Sequence, residues 1–370
     1  MAAAVTGSPA KTIEIGLVLQ GGGALGAYEY GGIIALFDLM DESARRGHPI
    51  TFKVVTGVSI GAINAACIVG ASDHADARRR LTALWSDFIV ETPSFLPSWV
   101  SRDYSLYSVP HFYAVRSDWL TMQGWTYVYD THPLLQTLTN RVDFAALNAS
   151  ETAFVITAVD VESGVLRRFA NRKVGELRPT RIEPSHVLAS GSLPPQFPWT
   201  ALDDGGPQHR YWDGGVVDNT PLGAAIDAFS TGAGVRRLLV VMNLFPATAR
   251  LPRTMAEVND RLDQLRFGNR LHQDSANADR INDLISTIDD LAKLVPGELP
   301  GRLAEKVAAA RAYKLVEPVE ISLVSDIVPA EEHGFRDFSR KGIEARRDAG
   351  REITLETLRP FIENEPEPFI

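Results

Sequence analysis

The stretch Gly57-Val58-Ser59-Ile60-Gly61 sets a serine between two glycines, directly after the apolar run Phe52 to Thr56. A serine hydroxyl is exposed for nucleophilic attack when it sits on a tight strand-to-helix turn, where glycines leave room for the bend and for the neighbouring chain. The same five residues also suit an ordinary corner, so their chemistry depends on partners. One partner is Asp213, which leaves the apolar pair Tyr211-Trp212 and enters Gly214-Gly215. Read alone, it is an Asp-Gly turn. The other is the run Gly21-Gly22-Gly23-Ala24, which follows a strand and opens a helix. Consecutive N–H groups at such a corner converge, and the helix N-terminus adds partial positive charge, so the run can cradle a phosphate or a developing oxyanion.

The phosphate reading makes a further demand. Gly21, Gly23 and Gly26 match the dinucleotide fingerprint, which needs an acidic residue at the end of the next strand to hold the ribose. That strand ends instead in Gly57-Val58-Ser59, and Asp41 and Glu42 come too early, at a helix end. The oxyanion reading fits better. Two adjacent parallel strands would set the glycine run and Ser59 side by side at their carboxyl ends, an arrangement for acyl transfer or hydrolysis.

The elements that must hold these residues follow from hydrophobic periodicity. Strands are expected at 13–19, 52–56, 154–160, 166–170, 237–244 and 319–324, and helices at 25–40, 60–70, 75–90, 221–229 and 338–358. Residues 254–313 read as helical and polar, with 278–295 the clearest amphipathic piece. Alternating strands and helices argue for an α/β layered fold, organised as one domain over 12–360 with a flexible stretch at 1–11 and a tail at 361–370. Residues 91–130 concentrate ten aromatic side chains with little periodicity, which reads either as a satellite core or as the lining of an apolar site. Six basic residues between Arg167 and Arg181 read as a solvated face.

Composition closes other routes. The net charge is −9 without a long basic block, which argues against nucleic-acid binding. The only cysteine, Cys67, lies in a small apolar helical setting and reads as a buried core residue. No His-Glu-x-x-His, Cys-x-x-Cys or carboxylate cluster calls for a metal, and no cofactor is expected. With neither a secretory leader pattern nor an apolar stretch of membrane-spanning length, the expected location is cytoplasmic, leaving room for transient contact at membrane surfaces. Oligomeric state is not legible.

A serine needs a base, and none of the eight histidines sits in a catalytic motif. The blocks LVLQGGGALGAYEYGG, GVSIGAIN, ASGSLPPQFP and WDGGVVDNTPL, in this order over residues 17–222, resemble the patatin-like phospholipases. The stretch DFSRKGIEARRDAG from Asp337 looks like the closing helix of bacterial members. The resemblance implies a three-layer α/β/α fold with a mostly parallel central sheet and a Ser–Asp dyad without histidine. On that pattern Ser59 is the nucleophile and Asp213 the base. Gly22 and Gly23 supply oxyanion N–H groups, Gly21 and Ala24 shape the loop, and Gly57 and Gly61 form the nucleophile elbow. The implied substrates are fatty acyl esters of phospholipids or neutral lipids. Many relatives carry Arg or Lys where this chain has Leu25, which weakens the expectation of anionic phospholipids.

An unperturbed aspartate, with a pKa of about 4, is a weak base at neutral pH, so the dyad implies burial of Asp213, with Trp212 the neighbour expected to provide it. Two other enzyme patterns fit less well. A Ser-Asp-His hydrolase would use His272 or His333, both in polar surroundings, and a malonyl-type acyl transferase would have histidine at Val58. A lipid-binding scaffold that had lost turnover stands as the non-catalytic alternative.

Overall fold

The computed structural model describes residues 12–91, 108–203, 208–230, 235–248, 251–268, 271–295, 299–312, 316–323 and 334–363. Its first half runs β1 (Thr12–Leu19), α1 (Gly26–Arg45), β2 (Ile50–Gly57), α2 (Ile60–Val69), α3 (His74–Phe88), β3 (Ser108–Val109), β4 (Tyr113–Val115), β5 (Tyr129–Asp130), α4 (His132–Arg141) and α5 (Phe144–Ala149). Then come β6 (Ala153–Asp160), β7 (Leu166–Ala170), α6 (Pro184–Ser190), β8 (Thr200–Leu202), β9 (His209–Asp213), α7 (Leu222–Ala228) and β10 (Val235–Asn243). The chain continues through α8 (Met255–Gly268), α9 (Leu271–Leu294), α10 (Gly301–Ala312), β11 (Glu317–Ser322) and α11 (Arg340–Glu363).

Eight strands form one sheet in the order β11-β10-β1-β2-β6-β9-β8, with β7 also paired to β6. From β11 to β6 the pairs are parallel, whereas β7, β8 and β9 join antiparallel. The central strands are apolar on both faces, as a sheet covered on both sides requires. In β1, Ile15, Leu17 and Leu19 enter the larger core beneath α1, α2 and α11, while Val18 enters a smaller core with Leu222, Ala225 and Phe229 from α7 and its end. This is the three-layer α/β/α arrangement with a mostly parallel sheet.

Register does the positioning. Gly57, the last residue of β2, lies opposite Ile156 of β6. Past that point β9 takes over the same edge of β6, and its last residue, Asp213, lies opposite Ala158. Ser59 and Asp213 therefore reach the same level of the sheet from opposite chain directions.

The long strands and helices fall within a few residues of their expected limits, and β6 and β7 pair around Glu162-Ser163-Gly164 as the pattern suggests. Helix α11 runs to Glu363, past the expected helix end at 358. The short elements β3–β5, β8 and α4–α6 carry too few residues for a clear period and were not anticipated. Residues 1–11 and 364–370 lie outside the described residues.

Candidate active site

Ser59 has φ 55°, the only non-glycine residue with positive φ among those described. A β-carbon there clashes with the backbone unless surrounding contacts over-determine the turn. Those contacts are on both sides. The Ser59 N–H donates to the Ser190 carbonyl at 3.1 Å and lies equally near the Ser190 hydroxyl, and Val58 N–H donates to the Leu19 carbonyl at 3.2 Å. The elbow is also too tight for side chains at its ends. A β-carbon on Gly57 would stand 2.5 Å from the Gly61 carbonyl, and one on Gly61 would stand 2.5 Å from the Leu19 carbonyl.

Ser59 occupies the N-cap position of α2, where a serine ordinarily accepts a hydrogen bond from the first turn. No such bond is made. The hydroxyl instead faces the Asp213 carboxylate, where it favours the ionised form. Asp213 is 2 % exposed. Its N–H donates to the Ser192 carbonyl at 3.0 Å, and its Oδ1 accepts the Gly215 N–H at 2.7 Å. Burial pushes its pKa up to about 7, outweighing the hydrogen bonds from Ser59 and Gly215, which favour the ionised form. The burial does not come from Trp212. Adjacent strand residues point to opposite faces, and Trp212 is only half-buried. The enclosure comes from β6 and from the Gly214-Gly215 turn.

The glycine loop is held from a distance. Gly21 N–H donates to Asn219 Oδ1 at 2.9 Å, and Asn219 Nδ2 returns a bond to the Gly21 carbonyl at 3.1 Å. Gln20 spans Thr220 and Leu244, donating from Nε2 to the threonine hydroxyl at 2.7 Å and accepting the Leu244 N–H at 2.8 Å. Ala24 N–H donates to the Phe335 carbonyl at 2.8 Å. Gly23 takes φ 55°. With Gly21 and Ala24 occupied, the Gly22 and Gly23 N–H groups are the two that meet no acceptor among the described residues.

Ser59, Asp213 and Gly21–Gly23 line one cavity of about 270 Å³. The remaining wall is aromatic, including Phe112, Tyr113, Tyr129, Phe197, Phe245, Phe267, Phe335 and Phe338. Part of the aromatic-rich segment thus faces the cavity. Trp119 and Trp125 do not; they lie against each other on an outer turn. Phe95, Trp99, Tyr104 and Tyr107 fall outside the described residues. Leu25 is buried in the core, and Arg336 is the one cation among the described wall residues.

No histidine is among the described residues lining the cavity. His209 bonds Asp160 at 2.8 Å and His186 completes the cap of α6, while the His272 side chain and His333 lie outside the described residues. Cys67 is buried, which pushes its thiol up to about 12. Among the described residues, no group of three or more His, Cys, Asp or Glu side chains is arranged to hold a metal ion, and no helix is long and apolar enough to cross a membrane. The clamps Ser190 and Asn219 lie inside blocks the sequence singled out, but their partners are far along the chain. Phe335 and Arg336 just precede the closing-helix block.

A comparison with curated proteins finds no match. Among solved structures, the crystal structure of VipD from Legionella pneumophila aligns with 14 % identity and a TM-score of 0.40, over 95 % of this chain and 67 % of that one. The family model for the patatin-like phospholipases matches residues 17–226, more than half of the chain and every residue of the elbow, the glycine loop and the Asp-Gly-Gly turn. The chain belongs to the patatin-like phospholipase family, a family of lipid acyl hydrolases.

Proposed function

We propose that this protein hydrolyses fatty acyl esters of lipids by a Ser–Asp dyad through an acyl-enzyme, in the manner of a phospholipase A. Residues 12–360 make up the hydrolase domain, and the enzyme is cytoplasmic. The observation that carries the reading is the Ser59 hydroxyl, held on a strained elbow and sharing one cavity with a buried carboxylate instead of capping its own helix.

Ser59 Oγ attacks the ester carbonyl carbon as its proton passes to Asp213. The carbonyl oxygen, now negative, takes the N–H groups of Gly22 and Gly23, whose donors meet no acceptor among the described residues. Collapse expels the alcohol, which leaves with the proton from Asp213, and the acyl group remains on Ser59. Water then attacks the acyl-enzyme, giving one proton to Asp213; the second tetrahedral species expels Ser59, which recovers that proton, and the fatty acid leaves. A base near pKa 7 is matched to this traffic at neutral pH, whereas an ordinary aspartate is not. The aromatic wall takes the acyl chain, each buried methylene contributing about 0.8 kcal/mol.

The test is labelling with a fluorophosphonate, alongside turnover of p-nitrophenyl esters of graded chain length and then of defined phospholipids. Labelling at Ser59, with rates rising from short to longer acyl chains and both lost in Ser59→Ala, is the expected result. A folded wild-type protein that binds lipid but neither labels nor turns over ester would instead be a scaffold on this fold.

A further inference from the structure

Two apolar ridges reach the mouth of the cavity and face solvent. The first is α8. Met255, Val258, Leu262 and Leu265 recur at intervals of three and four, which places them on one side of the helix, and all are exposed, Met255 at 74 %. The opposite side is the one that docks: Phe267 packs on Phe245 with ring centroids 5.5 Å apart and lines the cavity. The second ridge is the turn Trp119–Gly124. Leu120 is fully exposed, and Trp119 and Met122 are 59 % exposed. This turn leads into Val128, whose N–H and that of Tyr129 bond the Gln196 carbonyl in the cavity wall.

We infer that these ridges form a docking surface for a lipid layer of zwitterionic or uncharged headgroups, which seats the cavity mouth on the layer so that an acyl chain passes in without crossing water. The inference rests on the cavity being the acyl site. Continuity selects the occupant, because the segments that carry the ridges run into the cavity wall, α8 at Phe267 on its inner side and the outer turn at Val128 four residues on. An amphipathic helix with its apolar side outward inserts in the plane of a lipid surface. Large exposed apolar patches mark partners of this kind. The second ridge has the mixed character of an interfacial belt: the Arg116 guanidinium lies over the rings of Trp125 and Tyr127 at 4.5 and 4.3 Å, and Trp125 in turn lies against exposed Trp119. Charge selects the headgroup. Arg116 is paired with Asp118, α8 carries Glu257 and Asp263 beside Arg261 and Arg266, and the whole chain is at −9, so the described residues of the two ridges offer no basic patch to anionic lipid.

The experiment is flotation of the full chain, as Ser59→Ala so that the lipid is not consumed, with phosphatidylcholine vesicles and with phosphatidylglycerol vesicles. Two paired variants, Leu120→Ser with Met122→Ser and Met255→Ser with Leu262→Ser, are compared in the same background and, with Ser59 intact, on a soluble short-chain ester. Expected are flotation with phosphatidylcholine at least as strong as with phosphatidylglycerol, a loss of partitioning of about fivefold or more for each pair, and unchanged turnover of the soluble ester. Failure of the parent to float while it still turns over the soluble ester overturns the docking surface alone. Flotation by a protein that hydrolyses nothing overturns the enzyme reading and leaves the docking surface standing. Pairs that float like the parent, binding that requires phosphatidylglycerol, or a dimer in sedimentation that the serine pairs convert to monomer would each overturn the inference, the last in favour of a second copy as occupant.

Discussion

Two glycine-rich corners stand side by side at the carboxyl ends of β1 and β2, and they are held in different ways. The serine elbow is set mainly by close packing, with one brace from Ser190: Gly61 N–H returns to the Val58 carbonyl at 2.8 Å, and the glycines meet backbone atoms of the elbow itself and of the end of β1. The glycine loop is set by Asn219 and Phe335, which come from far along the chain. Placing a strained nucleophile takes close local packing, since any slack would let φ relax. Keeping two N–H groups vacant takes outside braces, since a self-contained loop would satisfy its own donors.

The comparison can be broken at several points. Removing the base should have the largest effect: Asp213→Asn keeps the shape but cannot take the serine proton, and kcat should fall by about 10²–10⁴, measured by steady-state hydrolysis of a p-nitrophenyl ester. Loosening the loop should come next. Asn219→Ala leaves the elbow intact and frees Gly21, and a misplacement of this kind costs about 10² in kcat with little change in KM. A pH profile with its midpoint still near 7 would place that loss in the loop; a shifted midpoint would mean that Asn219 acts through Asp213.

The third effect concerns pH. Activity needs ionised Asp213, so kcat/KM should fall about tenfold per pH unit below its pKa of about 7. Stability runs the other way. The folded-state pKa is raised above the ordinary value of 3.8, so this group's contribution is fully present below about pH 4 and is lost as pH rises through 7. Thermal unfolding should therefore show Asp213→Asn gaining on the wild type between pH 4 and pH 8. The smallest effect should come from the histidines. Each replaced in turn by Gln or Asn should retain activity within about tenfold, below the range set by a positioned base; an inactive but folded single variant would replace the dyad with a triad.

The elbow was legible because its instructions occupy five consecutive residues, and the main strands because both of their faces are apolar. Asp213 could be picked out from its turn, although its burial was assigned to the wrong neighbour. The braces were not legible. Asn219 and Ser190 act by isolated hydrogen bonds between distant segments, two from Asn219 to Gly21 and the contacts of Ser190 with the Ser59 N–H, and such bonds leave no periodic trace. The aromatic segment was visible as composition only; without a period, nothing separates Phe112 and Tyr113, which face the cavity, from Trp119, which faces solvent.

The buried side chain of Arg346 gives the loop's dependence on distant residues a timing. Its Nη1 donates to the Asp337 carbonyl at 2.8 Å and its Nη2 to the Gly334 carbonyl at 3.2 Å, holding the turn whose Phe335 carbonyl fixes Ala24. The serine, the aspartate and both glycine corners are synthesised within the first 226 residues, well ahead of this arginine. A chain emerging from the ribosome therefore carries Ser59, the proposed nucleophile, long before the residues that set the loop beside it. On the proposed mechanism, unfinished chains hold the reactive residues without the completed site.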